Sequence, residues 1–219
     1  MGNGADQGEG DDAAAAVAVV RPSAPGRFVF ASPHSGEIHP PDMGADPGLP
    51  EASLHSAGDA RVDRLIAAGA AHGATLVLAR LGRAYLDLNR APDELDPALV
   101  DGVDGLGSPR AAAGYGVIPR LTGDGRRLYA RRLSREEVER RLARVHAPYH
   151  AALAAELEAA RERCGEAVLV DWHSMPARAT GVPGGPRGPD VVLGDRHGTS
   201  CTVDLTRRLR RGFEALGWR

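Results

Sequence analysis

Arg27-Phe-Val-Phe-Ala31 runs straight into Ser32-Pro33-His34-Ser35-Gly36-Glu37, and the fold class turns on this junction. A short apolar, aromatic run with no helical period reads as a buried strand, and the Ser, Pro and Gly that follow read as a turn. His34 therefore sits just past a strand's C-terminal end. Working outward, Ala74-Thr-Leu-Val-Leu-Ala79 and Ala167-Val-Leu-Val-Asp171 repeat the strand pattern, and His173 follows the second of them at once. The stretches between have helical spacing. Val62, Leu65, Ile66 and Ala70 recur over Asp59 to His72, and Gly73 supplies a stop. Ser134-Arg-Glu-Glu137 matches a capping box ahead of Val138, Leu142 and Val145, and Pro148 should kink or interrupt that helix. A further helix runs from Pro148 to Arg163, with Gly165 after it. Alternating strands and helices predict an α/β sandwich of three layers with a mostly parallel central sheet, whose ligands collect at the carboxyl ends of the strands.

The remaining segments are read in the same way. Residues 1 to 27 are dominated by Gly, Asp, Ala and Pro and read as a flexible leader, so that residues 28 to 219 form one domain. Ala84-Tyr-Leu-Asp-Leu88 reads as another strand, running into Asn89-Arg90. Gly181 to Pro189 reads as a loop, Asp190 to Leu193 as a short strand, and Cys201 to Leu216 as a final amphipathic helix.

Composition narrows the function classes. With 219 residues, 42% hydrophobic and 26% charged, the chain is long enough to bury a core and has an ordinary globular balance. A net charge of -2 gives no global reason to bind nucleic acid or an anionic membrane surface. All 27 basic residues are Arg, a bias that matches GC-rich coding better than selection for phosphate. Cys164 and Cys201 have no CxxC spacing, so neither a disulfide framework nor a Cys-based zinc site is expected, and a reducing cytoplasm fits.

The chemistry-bearing residues lie where strands end. His34-x-x-Glu37 with the distant His173 supplies the His₂Glu set that holds catalytic zinc while leaving a position for water. His-x-x-Glu by itself occurs readily by chance, and a surface turn is the plain alternative. Asp171 and His173 stand two apart and point to one face, so Asp171 can orient the imidazole as an acceptor, or simply end the strand. Asn89 and Arg90 offer an amide and a planar fork that match a substrate carboxylate, and a structural Arg–Asp pair is the alternative. Asp59 and Asp63 on one helical face, Arg120 after Val117-Ile118-Pro119, and His146 and His150 around Pro148 are weaker candidates.

In order along the chain, Ser32-Pro-His-Ser-Gly36, Gly58-Asp-Ala-Arg-Val-Asp63, Ala84-Tyr-Leu-Asp-Leu-Asn-Arg90, Gly116-Val-Ile-Pro-Arg120, Ala147-Pro-Tyr-His150 and Asp171-Trp-His-Ser-Met175 resemble the N-formylglutamate amidohydrolase family. The likeness runs from about Phe28 through Val192-Leu-Gly-Asp-Arg196 to the end. It implies a zinc-exopeptidase or phosphorylase/hydrolase type of fold. The implied zinc ligands are His34, Glu37 and His173, with Asp59 or Asp63 as substitutes for Glu37. Asn89 and Arg90 become the carboxylate clamp, with Arg120 as a further substrate contact and Asp171, Asp59 and Asp63 as supports. The implied reaction is hydrolysis of N-formyl-L-glutamate to glutamate and formate, a step of histidine degradation. Related enzymes carry a general-base Glu in a strand after the last helix, and Trp218-Arg219 ends this chain before such a residue, so the alternatives are a non-catalytic or truncated homologue that binds metal and a carboxylate ligand without turnover, or a related amidase acting on peptide or cell-wall amides.

Overall fold

The computed structural model describes residues 16–176 and 188–219, so residues 1–15 of the expected leader and 181–187 of the expected loop lie outside the described residues. The described chain falls into two compact units, up to Ser174 and from Met175 onward, where the sequence predicts one domain.

The first unit is built on a four-stranded sheet of β1 (Val17–Val20), β2 (Phe28–Ser32), β3 (Thr75–Ala79) and β4 (Val168–Asp171). Their order is β1-β3-β2-β4, with β2 parallel to both β3 and β4 and β1 antiparallel to β3. The mostly parallel sheet is as predicted. Strand β1 lies within the stretch that reads as leader; its four residues are too few for a period to show, and pairing with β3 is what makes them a strand.

Side chains alternate across the sheet and split the apolar residues into two cores. Val29, Val77 and Ala79 face one side, where they meet Val138, Val145 and Tyr149. Phe30, Leu76 and Leu78 face the other and pack with Val62, Ile66 and Trp172. The α-helices between β2 and β4 are, in chain order, α1 (Glu51–His55), α2 (Val62–Ile66), α3 (Pro109–Ala112), α4 (Arg135–Arg141) and α5 (Ala147–Cys164). Helix α5 covers the first face and α2 the second, which gives the three expected layers.

Helix α4 starts as its sequence dictates, with Ser134 Oγ accepting from the Glu137 amide at 3.2 Å. The Glu137 carboxylate does not return to the cap, because Arg131 and Arg141 take it. Between α4 and α5 the chain widens into a π turn over Leu142–His146, just before Pro148 in the first turn of α5. Proline has no amide to continue the α ladder, so the predicted interruption falls there. Ser134→Ala leaves the Glu137 amide without its cap and is expected to lower the unfolding free energy by about 1 kcal/mol, read from a urea midpoint at unchanged m.

Two predicted strands are absent. Residues 84–88 form turns and irregular chain, although Ala84, Tyr85, Leu86, Asp87 and Leu88 are all buried. Their backbone bonds to scattered partners: the Asp87 amide to Val117 O, Leu88 O to His150, and Tyr85 O to Arg141. Apolar burial without a neighbouring strand produces the same residue pattern as a strand. In the second unit, residues 190–193 pair with no strand; the Asp190 and Val191 amides donate to the Arg219 carbonyl. The final helix, α6 (Val203–Ala215), is present, capped by Thr202 Oγ1.

Candidate active site

Parallel pairing of β2 with β4 brings their carboxyl ends side by side. Ala31 is in register with Asp171, and the Trp172 amide donates to Ala31 O, so the residues just beyond each strand meet. His34 and His173 are those residues, with ring centroids 4.8 Å apart. The turn that carries His34 is drawn against the chain after β3: the Ile38 amide donates to Arg80 O, and a Cβ at Gly36 would stand 2.2 Å from Leu81 O. Only glycine permits that approach.

The third member of the group is Asp59. Its amide donates to His34 O at 2.8 Å, and its Oδ2 lies 2.8 Å from His173 Nδ1 and 3.5 Å from His34 Nδ1. Ser174 Oγ donates to the other carboxylate oxygen. His34, Asp59 and His173 each offer one ligand atom, and the three atoms lie within 4.8 Å of one another. Each imidazole is oriented from behind. His34 Nε2 donates to Asp87 Oδ1 at 2.7 Å, and His173 Nε2 donates to Asp171 Oδ2 at 3.0 Å. His34 Nδ1 is buried yet has no hydrogen-bond partner. A buried ring nitrogen left unpaired, facing a carboxylate and a second imidazole, fits the donor set of a divalent ion such as zinc.

The electrostatics agree with that donor set. Burial works against the ionised Asp59, but hydrogen bonds from His173 and Ser174 and the proximity of His34 outweigh it and hold the carboxyl well below the usual range. Asp87 is more deeply buried, and again His34 together with Arg83 and the Asn89 amide prevails, holding it at about 2. Burial would lower His173, whereas Asp171 and Asp59 push it up to about 9, the response of an imidazole between two carboxylates where positive charge is favoured.

Asn89 and Arg90, expected from sequence to clamp a carboxylate, stand alongside. Asn89 Nδ2 donates to Asp171 Oδ2 at 2.9 Å, and Arg90 Nε donates to Tyr115 O at 3.1 Å. Two histidines of the π turn and α5 secure this loop from below: His146 Nε2 donates to Arg90 O and His150 Nε2 to Leu88 O. A cavity of about 430 Å³ is lined by His34, Asp59, His173, Asn89 and Arg90, together with Arg83 and Arg110.

Several sequence-based candidates lie elsewhere. Glu37 is exposed and outside the three-residue group, though it lines a neighbouring cavity with His34. Asp63 is half-buried on α2 and also outside the group. Arg120 does not line the larger cavity; its guanidinium donates to Asp96 and to Ala112 O. Sequence reasoning missed Asp87 as the support of His34, and Arg83 and Arg110 as cavity cations. For Arg83 a signal existed: it stands four residues before Asp87 and pairs with it at 2.9 Å.

Comparison with known proteins adds ancestry to this geometry. Residues 26–219 match the family model described as N-formylglutamate amidohydrolase. An N-formylglutamate deformylase of Pseudomonas putida is 35% identical over 140 residues, which are 63% of this chain and 48% of that one. Its counterpart from Pseudomonas aeruginosa is 34% identical over 185 residues, 83% of this chain and 64% of the relative. The chain thus spans about half to two thirds of the length of these two relatives. The crystal structure of N-formylglutamate amidohydrolase from Ralstonia eutropha JMP134 superposes with a TM-score of 0.84 at 34% identity, over 93% of this chain and 75% of that one. With the family model matched along nearly the whole described chain, this protein belongs to the N-formylglutamate amidohydrolase family.

Proposed function

We propose that this chain hydrolyses the formamide bond of N-formyl-L-glutamate, releasing L-glutamate and formate, and that it does so with a divalent ion, zinc, held by His34, Asp59 and His173. One observation carries the reading: two imidazole nitrogens and a carboxylate oxygen converge beside the Asn89–Arg90 pair in one cavity. Glu37, the third ligand implied by resemblance, gives way to Asp59 in this proposal because Asp59 lies between the two rings. When bound, zinc supplies Lewis acidity toward a carbonyl oxygen and lowers the pKa of water.

The chain's own residues hold and orient. Asp87 and Asp171 fix which ring nitrogen of each histidine is free to ligate, and both are anchored by further bonds from Arg83 and Asn89. Arg90 receives a substrate carboxylate through charge-assisted hydrogen bonds, on a loop that His146 and His150 keep in place. The reading also includes a cytoplasmic location and a small-molecule partner, with neither nucleic acid nor membrane. It is supported by the net charge of -2 and by two free thiols, and among the described residues no helix is long and apolar enough to cross a membrane.

The test is formate release from N-formyl-L-glutamate by the purified protein, with zinc content measured on the same sample. Turnover that disappears with chelator and returns with zinc is the expected result. Protein that holds one zinc per chain and releases no formate would overturn the activity while leaving the metal site standing.

A further inference from the structure

The substrate of the proposed reaction has two carboxylates, and the Asn89–Arg90 pair accounts for one of them. A second carboxylate brought into a cavity loses water, and without a cation to receive it that loss opposes binding. Three guanidinium groups line the cavity, from Arg83, Arg90 and Arg110. Arg83 is engaged with Asp87 through Nε and Nη2 and donates to Ala57 O. Arg90 donates to Tyr115 O and stands 3.6 Å from Asp87. Arg110 differs, since among the described residues its side chain has neither an ion pair nor a hydrogen bond.

The backbone beneath Arg110 is nevertheless firmly placed. It lies on α3, whose cap Ser108 accepts from the Ala111 amide and donates to Glu94 at 2.6 Å. Arg120, itself held by Asp96 at 2.6 Å, donates to Ala112 O at the end of the same helix. The Tyr115 amide donates to Arg110 O, and Arg90 donates to Tyr115 O, which ties the two cationic positions through one short segment. An exposed cation with no partner, on fixed backbone at the wall of a cavity, is preorganised for an anionic ligand. Arg120, expected from sequence to touch substrate, acts one step back by holding the helix that carries Arg110.

We infer that Arg110 is a specificity-determining residue that receives the second carboxylate of the substrate, so that this site selects dicarboxylates over their monoamides. The inference rests on the proposed reaction only for the identity of the substrate. It is tested with glutarate and glutaramate, which share a skeleton and differ in one charge, by calorimetric titration of the purified protein. Wild type should bind glutarate more tightly by about 10- to 100-fold, the usual weight of one charge-assisted hydrogen-bond set. Arg110→Met should remove most of that preference at unchanged circular dichroism and Tm, and Arg110→Lys should keep part of it. Equal binding of the two ligands by wild type, or an undiminished preference in Arg110→Met, overturns the inference even if formate is released from N-formyl-L-glutamate. A preference that depends on Arg110 in a protein that releases no formate upholds it, and the proposed reaction alone then fails.

Discussion

Replacing His173 by alanine is expected to abolish stoichiometric zinc binding and to lower kcat/KM for N-formyl-L-glutamate by at least about 10³-fold, or about 4 kcal/mol of transition-state stabilisation. The size follows from position. Loss of a residue that only supports a ligand costs about 10- to 100-fold in affinity or activity, and in the proposed site His173 itself supplies a ligand atom, so its loss should exceed that range. The fold should tolerate the change, because the side chain is 33% exposed and follows β4 rather than filling the core. Circular dichroism at wild-type intensity with no bound zinc is the diagnostic combination. His34→Ala should be as damaging to metal binding but also destabilising, since His34 is 3% exposed and its removal takes one hydrogen bond from the buried Asp87 carboxylate, which keeps Arg83 and the Asn89 amide. One zinc per chain retained in His173→Ala would falsify the proposed ligand set.

Arg141→Ala has the largest expected effect on stability, a loss of roughly 3–5 kcal/mol, as for breaking one side of a buried ion pair. Arg141 is 1% exposed. Its Nη2 donates to Glu137 at 2.6 Å and to Met43 O at 2.7 Å, and its Nη1 donates to the Tyr129 hydroxyl at 2.9 Å and to Tyr85 O. Its guanidinium also lies 4.6 Å from the centre of the Tyr85 ring. Truncation leaves two buried carbonyls without this donor and Glu137 with Arg131 alone. For a chain of this size the Tm should fall by roughly 10 °C. Glu137→Gln combined with Arg141→Met should cost less than the sum of the single changes, because the double variant buries no lone charge.

The pH dependence of that effect has a definite sign. Burial opposes ionisation of Glu137, but Arg131 and Arg141 outweigh it and hold its carboxyl below the ordinary glutamate value. A depressed folded-state pKa stabilises above the unfolded value, about 4.3, and the contribution is lost as pH falls through the folded-state value. The Tm gap between wild type and Arg141→Ala should therefore narrow in acid. A loss below about 1 kcal/mol at neutral pH would overturn the expectation that this buried pair is costly to break.

This arginine also explains a misreading of the sequence. Ala84 to Leu88 alternates and is apolar, as a strand would be, but Arg141, His150 and Val117 satisfy its backbone instead of a neighbouring strand. Those partners lie between 30 and 62 residues away along the chain, beyond the reach of any local pattern. Strand β1 was hidden for the opposite reason: four residues in a Gly- and Ala-rich stretch become a strand only by pairing with β3.

By itself the sequence determined the local periods and their ends: strands β2, β3 and β4, the capped helix at Ser134, its interruption before Pro148, and two histidines placed just past parallel strands. These are short-range properties, set by apolar spacing, caps and turn residues. Tertiary structure alone decided that Asp59, not the nearby Glu37, lies between His34 and His173, that Asp87 supports a ring from behind, and that Arg110 faces the cavity while Arg120 holds the helix beneath it. A metal or carboxylate site is a set of atoms a few ångströms apart contributed by distant segments, and the order of strands in the sheet, not spacing along the chain, selects which segments meet.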